Sequence, residues 1–307
     1  MPERATVAVT GASGLVGKAL TQALNRGGYG VKTLVRRAPA SAAEIRWDPA
    51  AGSIDSDGLR GVDALIHLAG ENIAAGRWSN EHKARIRDSR VEGTALLART
   101  LARMNDGPRN WISASAIGFY GDRGSEAVDE SSAPGTGFLA SVCRDWEAAT
   151  APAAEAGVRV VLARIGIVLS PEGGALAKMK PAFQLGLGGR IGDGSQFMSW
   201  ISLEDLVSAL IFLVEHSAIS GAVNCVAPAP VSNADFTETL ARTLKRPAMI
   251  PVPKFALRLA AGSEMANEML IGGARVVPAV LLDRGFRWAQ PTLGPALAAM
   301  LRRDRAR

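Results

Sequence analysis

Eight residues near the start, Thr10-Gly11-Ala12-Ser13-Gly14-Leu15-Val16-Gly17, offer the first recognisable chemistry. Their glycines follow a GxxGxxG spacing. Between a buried strand and a helix, such a turn leaves backbone N–H groups free. The helix dipole adds partial positive charge there, which suits a pyrophosphate. Gly11 permits the tight turn, Gly14 removes the Cβ that would hold a phosphate away, and Gly17 lets the helix lie close to the sheet. Ser13, Leu15 and Val16 complete the candidate cofactor-binding turn. The competing reading is a glycine turn without a ligand; the strand before it and the helix after it favour a dinucleotide.

The next strand ends at Arg36 and Arg37. A site for NAD usually carries Asp or Glu at this point to bind the ribose 2′-hydroxyl. Here no carboxylate follows until Glu44. A guanidinium pair suits a 2′-phosphate through charged, forked hydrogen bonds. The expected cofactor is therefore NADP(H), with Arg36 the main contact and Arg37 assisting. The alternative is a solvated pair at a strand end.

These groups need a frame, and the apolar pattern supplies one. Strands are expected over 5–10, 31–35, 64–68, 110–114, 158–164 and 222–226, with helices over 15–26, 79–104, 138–155 and 203–214. Strand and helix in alternation indicate a parallel sheet covered on both faces. The fold class is α/β: a Rossmann-type doubly wound parallel sheet with a smaller, mostly helical C-terminal substrate lobe. Residues 1–170 form the NADP-binding domain, completed by 202–230. Residues 171–201 and 231–307 form the smaller lobe, where glycine-rich stretches and Pro-marked breaks replace the alternation.

Composition narrows the partners. Hydrophobic residues make up 48% and charged residues 21%, which excludes disorder and suits a chain with a full core. The net charge is +6. Arg302, Arg303, Arg305 and Arg307 less Asp304 account for +3 of it, so half of the excess is a terminal tail and no nucleic-acid partner is expected. The two cysteines, Cys143 and Cys225, make neither a disulfide framework nor a zinc motif. His67, His82 and His216 lack metal-ligand spacing, so no metal is expected. The longest apolar run, Leu206 to Val214, is far short of the about 20 residues that a membrane span needs. Glu3 and Arg4 precede a short strand rather than a leader-like apolar segment. A cytoplasmic monomer or homodimer without membrane contact, acting on a small molecule, is the expectation.

Further motifs add a resemblance. TGASGLVG, then Leu68-Ala69-Gly70 after a strand, Val91-Glu92-Gly93-Thr94 in the long helix and Ser113 to Gly121 (SASAIGFYG) together resemble an extended short-chain dehydrogenase/reductase. LAGENI at Leu68 to Ile73, Arg77-Trp78, the DWEAA at Asp145 to Ala149, Met265 to Gly273, Val276-Val277-Pro278 and Gly285-Phe286 resemble an atypical, epimerase-like subgroup with a C-terminal domain of unknown function. The resemblance implies that Leu68, Ala69, Gly70 and Ile165 border the cofactor. It implies a position for Arg90, where members often have Asn, within reach of the cofactor or a substrate anion. Glu71 follows a sheet strand on the same side; it could bind substrate or ribose, or cap the Asn72-Ile73 turn.

One part of the family's machinery is missing. Members use a Tyr and a Lys four residues later on one helix: the Lys lowers the Tyr pKa, and the Tyr exchanges a proton while hydride moves. Here Tyr29 is followed at that spacing by Thr33, and Tyr120 by Gly124. The helix expected to carry the pair reads Phe138-Leu139-Ala140-Ser141-Val142-Cys143-Arg144. Three readings remain: another donor, water or the substrate itself, or no redox chemistry. Ser115 could orient a carbonyl and Tyr120 could substitute as the acid; against them stand a strand-end hydroxyl and a packed aromatic. Phe197, Met198 and Trp200 could line a substrate pocket or the core, with core favoured for Trp200. The implied function is an NADP(H)-binding oxidoreductase or epimerase-like enzyme for a small polar metabolite. The alternative is a non-catalytic NADP(H)-binding sensor or regulatory protein.

Overall fold

Val7, Ala8 and Val9 of β1 (Arg4–Thr10) are fully buried, so apolar side chains point to both faces of the strand. That is the demand of a central strand in a parallel sheet. The computed structural model describes residues 4–305; Glu3 and Arg307, which entered the charge and leader arguments, lie outside them. After β1 come α1 (Leu15–Arg26), β2 (Tyr29–Val35), β3 (Glu44–Asp48), β4 (Ser53–Ile54) and β5 (Ala64–His67). The first half ends with α2 (Asn80–Arg103), β6 (Asn110–Ala116), β7 (Ala127–Val128), α3 (Phe138–Ala148), α4 (Ala151–Glu155) and β8 (Arg159–Ile165).

The main sheet has 8 strands in the order β12-β8-β6-β5-β1-β2-β3-β4, where β12 is Gly221–Cys225. Its pairings are parallel except for the short antiparallel β3–β4 hairpin. The chain winds outward from β1 in both directions, so the order reverses between β1 and β5. Ligands of such sheets bind in the crevice beyond the strand ends at this point. The glycine turn leaves β1 and the Leu68–Glu71 segment leaves β5, one on each side of that crevice.

Two apolar layers cover the sheet. α1 and α6 (Leu203–Glu215) pack on one face around Leu20, Leu24, Leu206 and Leu210. On the other, α2 and α4 pack around Leu97, Leu101, Trp111 and Ala153. A third core holds the smaller lobe. It joins β9 (Ile167–Ser170), α5 (Gly174–Gln184), α7 (Asn233–Leu244) and α11 (Leu293–Arg305) around Phe183, Trp200, Phe236 and Leu297. Short pairs complete it: β10 (Phe197–Met198) with β13 (Val231–Ser232), and β11 (Trp200–Ser202) with β9. The remaining elements are α8 (Lys254–Ala261), α9 (Ser263–Ala266) with a single π turn after it, β14 (Arg275–Val276) and α10 (Ala279–Asp283). Among the described residues no helix is long and apolar enough to cross a membrane.

Several expectations need correction. The helix expected over 138–155 is two, α3 and α4, with Pro152 in the first turn of α4, where its missing N–H costs nothing. The sequence pattern does not mark β3 or α5: Ile45 and Trp47 are the only apolar residues of β3, and Pro181 masks the period of α5. Leu281 and Phe286, assigned to the smaller lobe, pack into the first core beside α6 and β12. Trp200 is fully buried and belongs to the core, while Phe197 and Met198 are half-buried.

Candidate functional site

The three glycines of the first turn differ in what surrounds them. A Cβ on Gly11, whose φ is +68°, would sit 2.8 Å from the carbonyl carbon of Leu68. One on Gly17 would lie 2.2 Å from the Gly11 oxygen. Both are bare because backbone presses on them. A Cβ on Gly14 would meet only the Gly11 oxygen, at 3.3 Å, and then open space. Gly14 is the residue at which α1 begins, and no side chain caps the helix. The first-turn N–H groups of Leu15 and Val16, with exposed Ser13 beside them, are thus available to an anion. The Leu15 side chain packs against Gly173 at the start of α5, which joins the smaller lobe to this turn.

A buried hydrogen-bond chain holds the crevice open at a set width. The Thr10 hydroxyl oxygen accepts from the N–H groups of Leu68 at 3.0 Å and Ala69 at 3.2 Å. Its own proton therefore goes to His67 Nδ1, 2.7 Å away. His67 is left with its proton on Nε2, which donates to the Thr94 hydroxyl at 3.1 Å; that oxygen also accepts from Trp146 Nε1 at 2.9 Å. Burial pushes the His67 pKa down to about 3, so the ring stays neutral. One chain of contacts thus fixes β1, β5, α2 and α3 relative to one another.

The arginine pair divides. Arg37 is clamped by both oxygens of Glu44, which also accepts from the N–H of Ala40 at 2.6 Å. Glu44 is brought there by β3, where it lies opposite Thr33 of β2. The carboxylate that seemed too late in the chain is therefore beside the site, but it is neutralised. Arg36 is exposed and has no ion-pair or hydrogen-bond partner among the described residues. Of the pair, Arg36 alone lacks a partner among the described residues, while Arg37 is engaged by Glu44.

At the end of β5, Arg90 reaches over bare Gly70, whose Cβ would lie 3.2 Å from the guanidinium carbon. Arg90 Nη1 donates to the carbonyls of Glu71 and Ile86, both at 3.0 Å, and the guanidinium lies 5.2 Å from the Trp146 ring centre. Burial lowers its pKa from the usual arginine value. The half-buried Glu71 carboxylate stands nearby and adds a second polar group to this wall. Ile165, half-buried at the end of β8, borders the same edge of the sheet.

The NAD dependent epimerase/dehydratase family matches residues 7–225. The chain belongs to that family. A domain of unknown function, DUF1731, matches residues 252–300. An epimerase family protein of Mycobacterium leprae is 46% identical over 295 residues, 96% of this chain and 95% of that protein. Human epimerase family protein SDR39U1 is 38% identical over 294 residues, 95% of this chain and 98% of that protein. The crystal structure of human SDR39U1 (isoform 2) with NADPH superposes with a TM-score of 0.88 at 34% identity, covering 97% of this chain and 99% of that one. A Thermus thermophilus UDP-glucose 4-epimerase complexed with NAD, 17% identical with a TM-score of 0.74, shares the fold.

Within this epimerase-family frame, the two hydroxyls proposed for catalysis are already engaged. Tyr120 is fully buried; its hydroxyl donates to Asn224 Oδ1 at 2.7 Å and accepts from Arg164 Nη1 at 3.0 Å. Burial raises its pKa. Ser115, 2% exposed, donates to Glu147 at 2.6 Å. Both belong to one buried network with Arg164 and Glu147. Tyr120→Phe is expected to cost about 1–3 kcal/mol of stability, because Asn224 and Arg164 each lose a buried partner. Denaturant unfolding checks it; a variant as stable as wild type would make the hydroxyl a candidate acid again.

The α3 face turned to the end of β6 carries Leu139 and Cys143, four residues apart and both close to Gly118. Burial pushes the Cys143 thiol up to about 12, so no thiolate is available there. The start of α3 is capped from afar: Glu268 accepts from the N–H groups of Phe138 at 2.8 Å and Leu139 at 2.7 Å. Arg164 and Glu268 carry no assigned role in the sequence, whereas Glu147 belongs to the Arg144-Asp145-Trp146-Glu147 cluster that reads as structural. Glu147 lay inside the DWEAA motif, and Glu268 inside the Met265–Gly273 segment.

Proposed function

We propose that this chain binds NADP(H) in the crevice between β1 and β5 and uses it on a small polar metabolite, in an oxidoreductase or epimerase-like reaction. The observation that carries the cofactor is the free Arg36 at the end of β2 beside an uncapped glycine turn, with the nearest carboxylate already held by Arg37. The human relative crystallised with NADPH supports the same reading. Gly11, Ser13, Gly14, Leu15 and Val16 bind the pyrophosphate. Arg36 takes the 2′-phosphate, and Leu68, Ala69, Gly70 and Ile165 border the nucleotide. Bound NADP(H) would supply or accept hydride. Arg90 and Glu71 offer one cation and one carboxylate to orient polar groups of the substrate. With Tyr120 and Ser115 committed to the interior, the proton comes from water or from the substrate's own groups.

Preference for NADP(H) over NAD(H) is expected to be roughly ten- to a hundredfold, the worth of a charged hydrogen bond of about 1.5–3 kcal/mol. Arg36→Ala should erase most of it. Paired dissociation constants for the two cofactors check this, and equal constants in the wild type would sink the idea.

The second reading, a non-catalytic NADP(H)-binding sensor, is favoured by one observation: the α3 face near the crevice bears Leu139 and Cys143 and no phenol or amine. Incubating the chain with NADPH and a panel of carbonyl compounds separates the two. Loss of NADPH absorbance supports turnover; firm binding without any loss moves the assignment to the sensor.

A further inference from the structure

The large apolar side chains left exposed among the described residues are Leu185 (74%), Leu187 (68%), Met249 (86%), Ile250 (72%), Phe255 (71%), Leu259 (76%) and Leu282 (49%). All but Leu282 fall in two segments, 185–187 and 249–259. The fold lays these side by side. Val252 N–H donates to the Arg190 carbonyl at 2.7 Å, and Gly192 N–H to the Val252 carbonyl at 3.0 Å. A Cβ on Gly186 would touch Pro247 at 3.5 Å. α8, which carries Phe255 and Leu259 four residues apart, contributes no buried residue at all. Six exposed apolar side chains therefore lie on two segments that the fold holds against each other. Contiguous apolar surface of this kind marks an interaction site.

The charge around that face has one sign. Residues 185–193 and 245–261 contain Arg190, Lys245, Arg246, Lys254 and Arg258 against Asp193 alone, five cations less one carboxylate, or +4. Asp193 itself lies 3.9 Å from Lys254. Carboxylates on neighbouring elements are committed elsewhere: Glu264 to Lys83, Glu268 to the start of α3, Glu238 to Arg242.

A partner must then be apolar and anionic together. A second copy meeting this face about a two-fold axis would set cations against cations. A peptide partner would be read by a groove, whereas these side chains project outward. Apolar tips ringed by Lys and Arg match the boundary between headgroups and acyl chains of an anionic bilayer. We propose that the smaller lobe docks peripherally on an anionic membrane surface. Phe255, Leu259, Leu185, Leu187, Met249 and Ile250 enter the acyl boundary, and Arg190, Lys245, Arg246 and Lys254 meet lipid phosphates. The sequence reading excluded membrane contact because no single run is long enough to span. A face assembled from two distant segments leaves no such run. The docking face and the cofactor crevice are structurally linked, because Arg77, in the loop after β5, donates to the Leu259 and Ala260 carbonyls at the end of α8.

Co-sedimentation of the full chain with phosphatidylcholine vesicles, with and without about one-third phosphatidylglycerol, tests this directly. Binding is expected to the anionic vesicles only and to weaken with salt. Phe255→Ser combined with Leu259→Ser should lower the partition at least about tenfold, and Arg246→Ala about fivefold. The double variant should keep the wild-type melting temperature, since neither side chain touches the core. No binding to anionic vesicles, or unchanged binding by the double variant, overturns the proposal. A concentration-dependent dimer that the double variant abolishes would assign the face to a second copy and overturn it equally.

Discussion

Gly14→Val should abolish the rise in melting temperature that NADPH gives the wild-type chain. At a hundredfold excess over its dissociation constant, a ligand stabilises the folded state by about 2.7 kcal/mol. For a chain of this size that corresponds to a shift of roughly 4 °C. The choice of glycine matters. A side chain on Gly17 would drive into the Gly11 oxygen at 2.2 Å and damage the turn itself. The Cβ position on Gly14 has only one neighbour within 4 Å, the Gly11 carbonyl oxygen at 3.3 Å, so the turn needs to give only a few tenths of an ångström, and the valine methyls are expected to take the space proposed for phosphate. The variant without ligand should therefore melt near the wild type. Thermal scans with and without NADPH, beside a direct binding titration, check both halves. A folded variant that binds NADPH as before would show that the pyrophosphate sits elsewhere.

Glu147→Ala should be the most destabilising single change in the buried network, by about 3–5 kcal/mol. Arg164 Nε and Nη2 each donate to Glu147 at 2.9 Å, and the side chains of Arg164 and Glu147 are 6% and 10% exposed. The guanidinium also lies 3.5 Å from the Phe119 ring centre. Removing the carboxylate strands a positive charge in that enclosure and leaves the Ser115 hydroxyl unpaired. Replacing both charged residues with methionine should recover much of the loss, because the desolvated charge disappears with its partner. Denaturant unfolding of the two single variants and the double one measures this. A loss under about 1 kcal/mol for Glu147→Ala would mean that water reaches the pair.

What could be read from the sequence was what neighbouring residues decide among themselves. The bounds expected for α1, Leu15 and Arg26, are the observed ones, because glycine spacing and apolar period act locally. The long helix was expected one residue wider at each end, Ser79 being its cap. The separate fates of Arg36 and Arg37 were hidden, since the pairing of β3 with β2 delivers Glu44 to one of them. Tyr120 stands open in the sequence between an acid and a packed aromatic for the same reason. Its partners Arg164 and Asn224 come from β8 and β12, and only sheet order brings three such distant residues together. The apolar rim of the smaller lobe escaped because neither of its segments is remarkable alone.

Three carboxylate contacts stitch early parts of the chain to late ones. Glu268 caps α3 across 130 residues of sequence. Glu130 accepts from the N–H groups of Ala279 and Val280, and Asp205 from those of Ala289 and Gln290. On the ribosome this sets an order of events. The sheet strands through β8 are made first, yet α3 stays without its cap and Glu130 without the N–H groups of Ala279 and Val280 until the final segments emerge. A nascent chain stopped before Glu268 holds most of the nucleotide crevice and an unsecured wall beside it. Such a chain is slow to reach its native contacts and exposed to misassembly while it waits. The last quarter of the protein thus acts as a fastener for elements made well before it.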